Sequence, residues 1–125
     1  PDKITPYLDV SNYYERQPDV NDDQTLELEA DMLKYVNKII ELCEKNNVEL
    51  IFYRAPYVST ENELKKANWF ANYCKEKEVA FYDLEKEIEF DLDTDFLDHE
   101  HLNKYGAEKA TDYLTEYILD AFKAK

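Results

Sequence analysis

The sequence predicts an α/β protein built around a parallel sheet. Helical and strand-like stretches alternate in the order helix, strand, helix, strand, long loop, helix. That order argues for parallel strands with helices on the sheet faces. Two short apolar runs, residues 48–53 and 79–84, fit strands of the buried, parallel kind. A single glycine among 125 residues excludes Gly-rich phosphate loops and a dinucleotide fingerprint, whose backbones need several glycines for close approach.

Residues 1–22 hold three of the four prolines or their neighbours and no sustained period, so they read as an irregular arm. Tyr7, Leu8, Val10, Tyr13 and Tyr14 would let this arm pack on a neighbour. Residues 23–125 read as one α/β domain. Its first helix is expected over residues 23–46, with Met32, Val36, Ile39, Ile40 and Cys43 on one face. Asn46 and Asn47 suit the stop, because Asn tolerates the left-handed conformation of a helix C-terminus. Ala55 and Pro56 end the first strand, since proline cannot donate to a ladder.

Thr60 and Glu63 form a capping box that opens a helix to Lys77. Leu64, Ala67, Ala71 and Cys74 make its core stripe, flanked by Trp69 and Phe70. Residues 85–95 read as an acidic loop or short helix. Asn103 is an N-cap, and a last helix to about residue 122 turns Ala107, Ala110, Leu114, Tyr117, Ile118 and Ala121 inward.

Composition narrows the function classes. The net charge is −14, which repels a phosphate backbone and an anionic membrane surface. Most of the acids read as solvated helix faces. No run of about 18 apolar residues is present to span a membrane. Cys43 and Cys74 sit on the apolar sides of separate helices and read as small buried hydrophobes rather than a disulfide. The chain begins at Pro1 with no initiator methionine and no signal-like segment, and is expected to be a piece of something longer.

The chemistry concentrates in residues 96–107, which contain both histidines and the only glycine. Asp98 and His101 are three apart, just before the last helix. A carboxylate beside an imidazole fixes its tautomer and stabilises its charged form, as a general base for a hydroxyl nucleophile requires. The bland reading is a structural loop: Asp98 pairs with His101, Asn103 caps the helix and Gly106 permits close packing. Zinc binding by His99, His101, Asp95 and Asp98 lacks a third well-spaced His or Cys, so no metal is expected. Asp91, Asp93 and Asp95 open like an EF-hand loop, but Phe96 and Leu102 stand where it needs Gly and Glu. No cofactor is expected. Arg54, Tyr57 and Asp83 lie at the carboxyl ends of the strands, where open α/β sheets bind ligands. Arg54 would meet an anionic group or form a surface ion pair. Tyr53, Tyr57, Trp69 and Tyr105 would line a sugar platform or pack at the core and rim.

The pattern Asp98-x-x-His101-Leu102-Asn103-x-x-Gly106-Ala107 resembles the last block of SGNH (GDSL-type) esterases and acyltransferases. Residues 35–57, Phe81-Tyr82-Asp83 and Asp93-Thr94-Asp95-Phe96 are similar to stretches of anchored Gram-positive members, so the resemblance covers most of the chain from about Leu26. It implies the C-terminal part of a three-layer α/β/α, flavodoxin-like sandwich of about five parallel strands, with two strands and three main helices in this chain. It implies Asp98 and His101 as the Asp and His of a Ser-His-Asp triad. It also implies an extracytoplasmic, membrane-anchored parent and an ester substrate such as an acylated polysaccharide.

The chain departs from that family in its nucleophile. Neither Ser11 nor Ser59 lies in a Gly-Asp-Ser context, and the oxyanion-hole Gly and Asn are missing. The chain is therefore expected to be inactive alone. The alternative is a non-catalytic α/β interaction or scaffold module. In either case the open edge of the first strand is expected to pair with a second copy or lie under the arm.

Overall fold

A computed structural model gives the structure over residues 18–98 and 100–123, with the side chains of residues 121 and 122 outside the description. The arm expected over residues 1–22 therefore falls largely outside the described residues. The chain forms two compact units. One comprises Ser59–Tyr82 and the described part of Gln17–Tyr53, and the other comprises Arg54–Val58 and the described part of Asp83–Lys125. The described residues mix helix and strand, with four helices and two parallel strands in one sheet.

The first unit carries α1 (Ala30–Lys45), most of β1 (Ile51–Arg54), α2 (Glu61–Glu76) and most of β2 (Ala80–Asp83). The capping box forms as its sequence requires: Glu63 donates its N–H to Thr60 Oγ1 at 3.1 Å, and Thr60 donates its N–H to Glu63 Oε1 at 3.4 Å. Phe70 of α2 meets Phe52 of β1 and Phe81 of β2 edge-on, with centroids 5.2 and 5.4 Å apart. Those rings fix α2 to one face of the sheet.

Helix α1 starts at Ala30, seven residues later than its period suggests. The backbone of residues 21–26 finds partners outside a helix. Gln24 N–H bonds Asn21 O, Leu26 N–H bonds Lys65 O, and the Asn68 amide donates to the carbonyls of Asn21 and Gln24 at 3.0 Å each. Asn68 is 7% exposed, so α2 buries a polar residue among the apolar positions of its stripe. Glu29 pairs with Lys66, and Tyr73 bonds Asn37.

The expected single apolar face of α1 splits in two. Val36 and Ile40 are buried, but Met32 and Ile39 are exposed together with Tyr35 and Leu42. Both helices of this unit end on a left-handed residue, Asn47 at φ 55° and Glu78 at φ 58°. The following amides, Val48 and Val79, return to the carbonyls of Cys43 and Cys74.

The second unit carries α3 (Leu84–Glu87) and α4 (Lys104–Lys123). Its core is Phe90 and Phe96, packed by Val58, Ile88, Leu92 and Leu102. On α4 the expected inner face is corrected. Ala110 is buried and Leu114 half-buried, whereas Ala107, Tyr117 and Ile118 are exposed and the Ala121 side chain lies outside the described residues. The loop before α4 meets the first turns of the helix at Gly106 and Lys109.

Candidate functional site

Residues 95–103 close on themselves. Phe96 and Leu102 form an antiparallel bridge. Leu97 N–H donates to His101 O at 2.9 Å, and Asn103 N–H donates to Asp95 O at 2.9 Å. Asn103 caps α4: its Oδ1 accepts from Tyr105 N–H at 2.9 Å and Gly106 N–H at 3.1 Å, while its Nδ2 donates to Thr94 O at 2.6 Å. A Cβ on Gly106 would lie 2.2 Å from Asp95 O and 2.8 Å from Leu102 Cδ2. The only glycine therefore allows α4 to abut the loop backbone.

This loop places the two expected residues side by side. His101 Nδ1 lies 2.8 Å from Asp98 Oδ1 and 3.0 Å from Oδ2. The same Oδ1 accepts Glu100 N–H at 2.8 Å. Partial desolvation raises the Asp98 carboxyl, but the Glu100 N–H and His101 outweigh it and hold the group below the usual carboxylate range. An ionised carboxylate only accepts, so the hydrogen belongs on Nδ1, and Nε2 of the neutral ring keeps its lone pair. The His101 side chain is 64% exposed, against 33% for Asp98.

Asp95 was expected in a solvated acidic loop and is instead buried, at 1% exposure. Its carboxylate accepts from Asp91 N–H at 2.6 Å and from Lys109 Nζ at 2.6 Å. The sequence reading thus missed Lys109 and its pairing with a buried Asp95. The available signal was helical register, since Gly106, Lys109 and Ala110 share one face of α4. Asp95 is engaged inside the loop, His99 lies outside the described residues, and no metal-binding cluster occurs among the described residues.

At the strand ends, Arg54 Nη1 meets Asp83 Oδ1 at 2.9 Å and Glu85 Oε1 at 3.4 Å, with the guanidinium 5.0 Å from the Tyr57 ring centroid. The Arg54 and Asp83 side chains are 9% and 11% exposed, so this is a largely buried cluster and not a surface pair. Burial pulls the guanidinium down, but Asp83 and Glu85 outweigh it and the net shift is upward. Arg54 Nη1 thus already serves two carboxylates. Trp69 stacks on Tyr73 at 5.0 Å, in a different unit from Tyr57 and Tyr105. Ser59 is 4% exposed and belongs to the other unit from His101, and Ser11 lies outside the described residues. No helix among the described residues is long and apolar enough to cross a membrane.

The fold and site define a small α/β protein with an oriented Asp–His pair in front of its last helix. Residues 12–123 match the sequence model of a protein family of uncharacterised function, and the chain belongs to that family. No curated protein and no solved structure matches it.

Proposed function

We propose that Asp98 and His101 are the orienting acid and the general base of a Ser-His-Asp triad in an SGNH-like ester hydrolase or O-acyltransferase. The observation behind this reading is the grip of both Asp98 oxygens on Nδ1 of a ring that is 64% exposed. Nε2 would take the serine proton as Oγ attacks the ester carbonyl. It would then deliver that proton to the departing alcohol. Water or a second alcohol would release the acyl group. The serine and the oxyanion donors come from outside the described residues, as would the remaining strands of the SGNH sandwich. The substrate class that goes with the resemblance is an acylated polysaccharide in an extracytoplasmic setting.

The test is labelling by a fluorophosphonate probe of the polypeptide expressed with all the sequence its gene encodes. Labelling is expected, and His101→Ala should lower it, with ester turnover, by several orders of magnitude, as loss of a triad member does. Labelling that persists unchanged in His101→Ala removes His101 from the triad. A folded protein that never labels favours the second reading, an interaction module. The exposed apolar stripe of α1 supports that alternative.

A further inference from the structure

The outer side of α1 carries an exposed apolar stripe that the triad reading leaves unused. Met32, Tyr35, Ile39 and Leu42 recur at steps of three, four and three, and are 54%, 63%, 43% and 63% exposed. That spacing is a helix-pairing seam. Asn37, on the opposite flank of α1, bonds Tyr73 of α2, so the seam points away from α2. Val48, beyond the end of α1, and Tyr53 of β1 are each 57% exposed. Among the described residues β1 has one neighbouring strand.

The charges beside the seam fit one occupant. Asp31, Lys38 and Lys45 flank its outer edge at steps of seven, with Asp31 in the first turn and Lys45 in the last. In a parallel pair these would meet no opposite charge of the same edge. In an antiparallel pair related by a twofold axis, Met32 faces Leu42, Tyr35 faces Ile39, and Asp31 meets Lys45 at both ends. Lys38 would meet its own symmetry mate near the axis, a like-charge contact set against the two Asp31–Lys45 pairs, and within one chain it lies over its own Tyr35 ring at 5.7 Å.

We infer that a second copy of this chain covers the outer side of α1, as an antiparallel, twofold dimer registered by Asp31 and Lys45. This inference does not depend on the triad reading. The test is sedimentation velocity of the whole chain over a concentration series, with circular dichroism to confirm that each variant is folded. The chain should dimerise, and Leu42→Glu should abolish association. Lys45→Asp should raise the dissociation constant by about tenfold, since two ion pairs become like-charge contacts, and Asp31→Lys in the same chain should restore it. A monomer with Met32 readily oxidised overturns the inference, as does a monomer in which the chain's own residues shield Met32. A dimer indifferent to Leu42→Glu, or a Lys45→Asp defect that Asp31→Lys fails to rescue, overturns it as well.

Discussion

The Asp98 oxygen that receives the Glu100 amide is the oxygen 2.8 Å from His101 Nδ1. Loop shape and ring orientation therefore share one acceptor. The carboxyl is held below its ordinary range, so its folded pKa lies below its unfolded one. The stabilisation it supplies is fully present above the ordinary carboxylate range. It is lost as pH falls through the lowered folded value. The effect on global stability is small because the pair is exposed. Its local signature is sharper. A carboxyl-detected NMR titration should place Asp98 below an ordinary aspartate, and His101→Ala should move it back up. A normal midpoint in the unsubstituted chain would mean that the pair does not form in solution.

Helix ends show how this chain manages with one glycine. Asn47 and Glu78 take left-handed conformations for which glycine is the cheaper choice, while Gly106 is used to bring α4 against Asp95 O. Opposite effects follow in urea denaturation. Glu78→Gly should stabilise by about 0.5–1 kcal/mol, because relief of a left-handed non-glycine residue exceeds the added chain entropy. Gly106→Ala should destabilise by about 1–3 kcal/mol, because a backbone carbonyl cannot give way as a side-chain tip does.

The same elements show what was legible in sequence. The Thr60 box, the Asn47 stop, the Asn103 cap and the Asp98–His101 contact are set by neighbours a few residues away, and local pattern exposes them. The start of α1 is decided by Lys65 and Asn68 on another helix, so periodicity overran it. The burial of Asp95 depends on Lys109, and that of Arg54 on Asp83 and Glu85. An acidic run looks the same in sequence whether it is solvated or paired. Met32 and Ile39 were placed on one face with Val36 and Ile40 because an apolar helix position does not say what covers it.

At the scale of the whole molecule, the sheet ladder and the loop differ in the lengths of chain they close. The hydrogen bonds described above for the Asp98–His101 loop are short in sequence, with Lys109 to Asp95 spanning 14 positions. Arg54 and Asp83 are 29 apart, and Asn68 reaches back 47 residues to Asn21. Loop-closure entropy grows with that separation, so the short contacts cost least to form. In pulse-labelled hydrogen exchange during refolding, the amides of Leu97 and Asn103 should gain protection before that of Leu26. Simultaneous protection would tie the loop to the sheet in one cooperative step. The order matters for the imidazole. If the loop gains protection first, the side chain it orients is aimed while the rest of the chain is still searching.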